Sequence, residues 1–187
     1  MPEVRLITLL VLLISPLSLM AAEPPTALEW KDFRGTVFQS DDLLIGGQPL
    51  TDSAMQKLKS EGIGTIINLR TPEEMANPKT ALVEEPGLAA SLGMDYHHLP
   101  SGGPDYPYSP ATVKAMNNII SSSDGKVYLH CNSARRATHL WVAWLMQHQG
   151  LSVEEAISLG RQANFGEVPL EGFSPKPLTY KYSQPAN

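Results

Sequence analysis

The chain has one cysteine, Cys131, among its 187 residues. A single cysteine cannot form an intramolecular disulfide, so a domain stapled by its own disulfide bonds is excluded. Exported proteins usually carry cysteines in pairs, and a lone thiol in such a protein needs another explanation. It is either a small buried apolar residue or a reactive group, and the residues around it decide between the two.

A strong excess of one charge is also absent. The chain has 14 Lys and Arg residues against 19 Asp and Glu, which gives a formal net charge of −5. This mildly acidic balance lacks the electrostatic footprint of proteins that bind nucleic acid or anionic membranes. We therefore expect neither nucleic acid nor an anionic lipid surface as a partner.

The first 22 residues have the pattern of a secretory signal peptide. Arg5 precedes the apolar run LITLLVLLISPLSLM, which ends at the small pair Ala21 and Ala22. Pro16 interrupts the run, which is shorter than a comfortable membrane span, and both features favour cleavage over a retained anchor. We expect a cleavable signal peptide at residues 1–22, a periplasmic or secreted protein, and no stable membrane insertion after cleavage.

Strand-like and helix-like segments alternate along the rest of the chain. Apolar runs predict strands at LLIGG, GTIINLR, MDYHHLP and KVYLH, which are residues 43–47, 64–70, 94–100 and 126–130. Periodic apolar positions behind capping residues predict helices after Thr51, Ser109 and Ser152, and another from Ala137.

This order predicts a three-layer α/β fold with a mainly parallel sheet of four to five strands flanked by helices. The predicted domain spans residues 36–165. An entry segment at 23–35 precedes it, and an irregular tail at 166–187 follows it.

Cys131 lies directly between a predicted buried strand and an amphipathic helix, in the segment CNSARR at residues 131–136. Backbone N–H groups at a helix start lack intrahelical partners and, together with the helix dipole, attract anions. A thiol there is shifted toward the reactive thiolate, and Arg135 and Arg136 act in the same direction. Two adjacent arginines also bind oxyanions through paired hydrogen bonds. The setting favours a reactive thiol at an anion site over a structural cysteine.

Four segments in this order resemble the beta-lactamase-hydrolase-like phosphatase family, a branch of the cysteine-dependent tyrosine and dual-specificity phosphatase superfamily: LLIGGQP, GTIINLRTPEE, YHHLP and YLHCNSARRATHLWVAW. The resemblance covers about residues 36–165. It implies a parallel sheet flanked by helices, Cys131 as the nucleophile that forms a cysteinyl-phosphate intermediate, and no cofactor. It also implies a phosphate site made by Arg136 with the loop residues Asn132, Ser133, Ala134 and Arg135.

The loop departs from that superfamily at two points. Four residues separate Cys131 from Arg136, whereas well-studied tyrosine phosphatases have five, so this loop is tighter. Ala134 occupies a position where the family usually has glycine, which would permit left-handed backbone angles.

Residues outside the loop complete the predicted site. Asp105, in the glycine- and proline-rich stretch after the third strand, is the candidate general acid, although turns also favour aspartate. The resemblance implies that His130 organises the loop and that Thr138 hydrogen-bonds to the thiolate. Arg70 and Glu73 either brace the site from a neighbouring strand end or form a surface ion pair.

We interpret Gly46, Gly47 and Gln48 as a structural turn near the site and not as ligand contacts. No His or Cys spacing suits a metal ion, so no metal ligand is predicted.

Two other functions fit parts of the pattern. A rhodanese-like sulfurtransferase would carry a persulfide on Cys131 and also uses a short loop after a parallel strand. A non-catalytic module would bind phosphate or another anion without turning it over. A redox thiol is less favoured because the chain has no resolving cysteine. The pattern favours a phosphatase for phosphate monoesters, with a phosphorylated substrate as its partner, and leaves the substrate class and the oligomeric state open.

Overall fold

The computed structural model describes residues 23–166 and 168–180, and the predicted signal peptide lies outside them. The strands of the described part form one six-stranded sheet in the order β1-β2-β3-β6-β4-β5. They are β1 (Thr26–Leu28), β2 (Val37–Ser40), β3 (Leu43–Gly46), β4 (Ile63–Asn68), β5 (Asp95–His98) and β6 (Lys126–His130). Strands β3, β6, β4 and β5 pair in parallel, whereas β1 and β2 extend one edge in antiparallel fashion.

The helices are α1 (Asp52–Ser60), α2 (Pro72–Ala76), α3 (Glu85–Ser91), α4 (Pro110–Ser122), α5 (Arg135–His148) and α6 (Val153–Arg161), with a 3₁₀ helix at Leu170–Phe173. Thr51, Ser109 and Ser152 cap α1, α4 and α6 as predicted, because each side chain accepts a hydrogen bond from a first-turn N–H group. No helix of the described residues combines the length and the hydropathy needed to cross a bilayer.

Alternate residues of each central strand face opposite layers of helices. Leu44, Ile66 and Tyr128 pack toward α1 and α3, whereas their neighbours along the strands pack toward α4, α5 and α6. The predicted three-layer α/β fold is therefore confirmed. The central strands carry apolar residues on both faces because both faces are covered.

Three details differ from the sequence-based expectation. The sheet has a sixth strand and an antiparallel edge. Sequence patterns do not predict β1 and β2, because these strands are only three and four residues long and show no readable alternation. Helix α2 is five residues long, too short for an apolar period, and is held by a capping box between Thr71 and Glu74. In the tail, the 3₁₀ helix buries Leu170 and Phe173 completely, so this part of the tail belongs to the core.

Candidate active site

Cys131 follows β6, whose neighbours β3 and β4 lie on either side of it. It is therefore placed at the carboxyl end of the parallel strands, where binding sites of such sheets form. The thiol is not in a disulfide, and the residue is only 1% exposed. The next residues form a short loop, residues 131–136, that leads into α5 and is called the anion loop below.

Backbone contacts hold the anion loop from two sides. Gln48 donates its N–H to the carbonyl of Asn132 at 3.2 Å, and a β-bridge pairs Gly47 with Ser133. On the far side, Asn164 donates from Nδ2 to the carbonyl of Ser133 at 2.6 Å. Gly47 is required here because a Cβ would lie 1.9 Å from the carbonyl oxygen of Arg34.

The outward carbonyls determine where the loop N–H groups point. In a planar peptide unit, the carbonyl of one residue and the N–H of the next point in opposite directions. Because the carbonyl of Cys131 faces the His130 ring at 3.2 Å and that of Asn132 is bound by Gln48, the N–H groups of Asn132 and Ser133 point the other way. Backbone N–H groups of such a loop, together with first-turn helix N–H groups that lack intrahelical partners, are suited to binding an anion.

Ala134 adopts a left-handed backbone conformation, which glycine reaches without the steric cost of a Cβ. Its φ is 67° and its ψ −19°, and it forms the N-cap of α5 without a side-chain cap. The short loop therefore reaches the backbone geometry of a glycine-containing loop, at the steric cost of a Cβ in this region.

Arg136 is held at the mouth of the loop by three contacts. Its Nη1 donates to the carbonyls of Ser101 at 2.7 Å and Leu69 at 3.3 Å, and its Nη2 to Glu74 Oε1 at 2.6 Å. A guanidinium has five N–H donors, so two remain beyond these contacts, enough for one bidentate grip on an oxyanion. Burial opposes the charge, but the hydrogen bond to Glu74 and the negative charges of Cys131 and Glu74 outweigh it and raise the pKa of Arg136.

A cleft of about 480 Å³ opens beside Arg136. One wall is formed by Thr71, Glu73 and Glu74, and the other by residues 102–106 with Tyr108. Asp105 is exposed on that second wall, so the structure brings the candidate general acid into the same cleft as Arg136. It also places two further carboxylates there.

Arg135 is not brought to the cleft. The residue is exposed, and its side chain lies against Gly166, where an added Cβ would be 3.3 Å from Nε. Successive helical residues differ by about 100° in direction, so Arg135 and Arg136 cannot face the same ligand. Only the backbone N–H of Arg135 is positioned for the anion.

Thr138 also differs from its predicted role. Its hydroxyl donates to the carbonyl of Ala134 at 3.0 Å, one turn back along α5. A hydroxyl has one proton, so in this arrangement Thr138 stabilises the left-handed cap instead of donating to the Cys131 thiolate.

Arg70 is part of a buried polar network behind the loop and does not pair with Glu73. It is 2% exposed and donates to Glu85 Oε1 at 2.5 Å and to Gln48 Oε1 at 2.5 Å. The second carboxylate oxygen of Glu85 lies 3.1 Å from Nε2 of His130, the residue that precedes the cysteine. Arg70 therefore lies behind the loop, and its acidic partner is 15 residues away along the chain.

Sequence reasoning missed three residues of this arrangement. Glu85 is the first residue of α3, beside Pro86, and no sequence pattern marks an acid there as buried. Asn164 lies just beyond α6. The sequence gives Gln48 the pattern of a turn residue, yet its side chain is fully buried and its backbone holds the loop. An amide directly after a predicted strand and two glycines is the one sequence signal that could have revealed it.

Comparisons with known proteins agree with this geometry. The three-layer sheet has the architecture of solved tyrosine-phosphatase-like proteins. The chain belongs to the family of the phosphatase-like domain of beta-lactamase hydrolase-like proteins, whose model matches residues 35–147.

A beta-lactamase hydrolase-like protein from Agrobacterium fabrum is 32% identical over 104 residues, which are 55% of this chain and 23% of the relative. The chain thus spans less than a third of the length of the curated relatives it matches.

Two solved structures illustrate the similarity of fold. A candidate phosphatase from Neisseria meningitidis is 26% identical, with a TM-score of 0.51, covering 65% of this chain and 82% of its own. Kinase-associated phosphatase, with its catalytic-site cysteine replaced by serine, has a TM-score of 0.55 at 18% identity, covering 82% of this chain and 89% of its own. The second likeness concerns the fold alone. Family and architecture together support a phosphatase-type hydrolase.

Proposed function

We propose that the protein hydrolyses phosphate monoesters through a cysteinyl-phosphate intermediate on Cys131. One observation carries the proposal: the anion loop turns its carbonyls outward onto fixed partners, which directs the N–H groups of Asn132 and Ser133 inward beside the thiol. Arg136, whose charge interacts with that of Cys131, has two N–H donors left beyond its contacts to Leu69, Ser101 and Glu74. Donors fixed in advance around a phosphoryl group are most of what phosphoryl transfer requires from a protein.

The chemistry has two balanced steps. The Cys131 thiolate attacks phosphorus, the S–P bond forms, the ester P–O bond breaks, and the leaving oxygen takes a proton from Asp105. Water then attacks phosphorus and the S–P bond breaks, which regenerates the thiolate. The Asp105 carboxylate takes the proton of that water, and inorganic phosphate leaves.

The decisive experiment measures phosphate release from an aryl phosphate under reducing conditions. We expect turnover by the wild-type chain and its loss in Cys131→Ser and in Arg136→Ala. Sulfur transfer from thiosulfate to cyanide is measured on the same samples. Sulfur transfer without phosphate release would show that the protein is a sulfurtransferase that works through a persulfide. Phosphate binding without either activity would show that it is an anion-binding module.

Asp105 is tested by the leaving group. In Asp105→Asn, alkyl phosphates, whose leaving groups need a proton, should lose much more rate than aryl phosphates, whose leaving groups do not. Glu73→Gln is the matched control, since it removes another exposed carboxylate from the same cleft. Equal losses on both substrate types would remove Asp105 from the acid role.

We also propose that the protein is exported by the signal peptide at residues 1–22. Support comes from the apolar run and the small pair Ala21 and Ala22. Fractionation of cells that express the full chain, with mass determination of the mature protein, tests this. A full-length product in the cytoplasm would contradict it.

A further inference from the structure

Tyr108 is a cleft residue to which the chemistry above gives no role. It lines the cleft together with Arg136, Glu74 and Asp105, and it is partly buried. Its ring packs on an aromatic neighbour, but none of the hydrogen bonds among the described residues involves its hydroxyl. Packing therefore accounts for the ring and leaves the hydroxyl unexplained.

The 3₁₀ helix at Leu170–Phe173 holds the ring of Tyr108. Phe173 is completely buried, and the centroids of the two rings are 4.8 Å apart at an interplanar angle of 52°. Such tilted aromatic pairs stabilise a contact beyond the area that they bury. Gln147 on α5 donates from Nε2 to the carbonyl of Phe173 at 2.8 Å, which fastens this turn to the helix that follows the anion loop.

The backbone of Tyr108 is also fixed on two sides. An added Cβ at Gly172 would lie 2.7 Å from the Cβ of Tyr108, so only glycine permits this approach of the 3₁₀ helix. On the other side, Ser109 caps α4 by accepting the N–H of Thr112 at 3.3 Å. The ring is thus held from behind, on the wall of the cleft that Arg136 also lines.

Charges of the site act on the Tyr108 phenol. Burial raises its pKa, and the positive charge of Arg136 opposes this rise. The negative charges of Cys131 and Glu74 raise the pKa further, so the hydroxyl stays protonated through neutral pH and remains a hydrogen-bond donor. Because nearby charges shift a pKa in this way, the phenol is electrostatically coupled to both the nucleophile and the arginine.

A bound phosphoryl group needs more donors than one arginine supplies. Its charge is spread over three equatorial oxygens during transfer, and each of these oxygens accepts hydrogen bonds. The backbone of the anion loop and the two remaining N–H groups of Arg136 approach the phosphoryl group from the protein side. A protonated hydroxyl on the cleft wall is a donor on the side from which the substrate enters.

We propose that the Tyr108 hydroxyl binds the substrate by donating a hydrogen bond to an oxygen of the phosphoryl group, and that Phe173 is the positioning residue that holds the Tyr108 ring in place. The inference rests on the proposed function for its catalytic meaning. Its physical content, a contribution of Tyr108 to phosphate affinity, is measured without any turnover.

Tyr108→Phe is the direct test, because it keeps the ring and its packing and removes only the hydroxyl. We expect the full chain to bind inorganic phosphate about tenfold more weakly in titration calorimetry, as for a lost hydrogen bond to a charged group. Phosphate protection of Cys131 against iodoacetamide should weaken by the same factor. In the phosphatase assay, kcat/KM should fall about equally on aryl and alkyl phosphates, whereas Asp105→Asn affects mainly the alkyl substrates.

Tyr106→Phe is the matched control. It removes a hydroxyl from the same wall, and the Tyr106 ring has no aromatic partner among the described residues to fix it. Its effect on phosphate affinity should be clearly smaller. Wild-type phosphate affinity in Tyr108→Phe would overturn the proposal, and so would equal losses in the two variants.

The positioning role of Phe173 is tested by a double-mutant cycle. Phe173→Leu should weaken phosphate binding about threefold in the wild-type background, because a loosened ring misplaces its hydroxyl. It should have no further effect in Tyr108→Phe, where the hydroxyl is already absent. Equal losses in both backgrounds would show that Phe173 acts on the site without Tyr108, and this would overturn its positioning role.

The same measurements separate this inference from the proposed function. Weaker phosphate binding by Tyr108→Phe, in a chain that releases no phosphate from any ester, would reject the proposed function and keep Tyr108 as a ligand of the anion. Turnover by the wild type with an unchanged Tyr108→Phe variant would keep the function and reject the role of Tyr108. A wild-type chain that binds no inorganic phosphate would overturn the inference as well.

Discussion

Replacing Glu74 by Gln tests whether the carboxylate that pairs with Arg136 also weakens the binding of an anion in the cleft. Glu74 Oε1 pairs with Arg136 at 2.6 Å, while its Oε2 accepts the N–H of Thr71 in the capping box of α2. Gln retains an oxygen for the cap, so the substitution removes the charge and leaves the helix start intact. Arg136 keeps the carbonyls of Ser101 and Leu69 as fixed partners.

The magnitude follows from Coulomb repulsion between Glu74 and a bound phosphate dianion. At a separation of about 6 Å in water the repulsion is about 1.4 kcal/mol. Screening at about 0.15 M salt reduces it by roughly half, to about 0.7 kcal/mol. We therefore expect Glu74→Gln to bind inorganic phosphate about threefold more tightly at that salt and up to about tenfold more tightly at about 0.01 M.

Titration calorimetry with inorganic phosphate measures this effect, and phosphate protection of Cys131 against alkylation gives an independent value. Glu73→Gln is the control, because Glu73 shares the cleft but does not pair with Arg136, and its effect should be smaller. Weaker phosphate binding by Glu74→Gln would refute the reasoning. It would mean that Glu74, and not the two carbonyls, keeps Arg136 in its binding orientation.

Three further predictions follow from the same contacts. Arg136→Lys should weaken phosphate binding in calorimetry by at least about tenfold despite its retained charge, because one ammonium cannot hold the carbonyls and grip an oxyanion as well. Ala134→Gly should leave the free energy of unfolding in urea within about 1 kcal/mol of wild type, since relief of left-handed strain and loss of a buried methyl nearly cancel. Ala134→Val should lower this free energy by more than about 2 kcal/mol. Burial raises the pKa of Glu85, but the charges and hydrogen bonds of its partners, Arg70 among them, lower it by more, so its contribution to stability is complete above its ordinary value of 4.5 and is lost as pH falls below it. Urea melts from pH 6 to pH 3 should show this loss, and it should be smaller in Arg70→Met/Glu85→Gln.

The central part of the fold was predictable because its signals are local. The apolar strands and the capping residues at Thr51, Ser109 and Ser152 each lie within a few residues of what they specify. The position of Cys131 between strand and helix followed from the same patterns. Strand β1 was not predictable, since three residues without alternation become a strand only by pairing with β2.

The contacts of the site were less accessible, because they depend on distant residues. Arg135 and Arg136 are adjacent residues of the same type. Only the direction of α5 shows that Arg136 lines the cleft and that Arg135 lies beside Gly166. The sequence pairs Arg70 with Glu73, whereas its buried partner is Glu85 on α3. Long-range pairing of buried charges leaves no periodic pattern in a sequence.

The fixed anion loop has a consequence for how substrate preference can change. Its attachments to Gly47, Gln48 and Asn164 are independent of residues 102–108, which form the opposite cleft wall and begin with glycines at φ values of 131° and 76°. The nucleophile and the candidate general acid Asp105 are thus carried by separate segments of the chain. Exchanging residues 102–108 between relatives should therefore transfer preference for a leaving group without rebuilding the nucleophile.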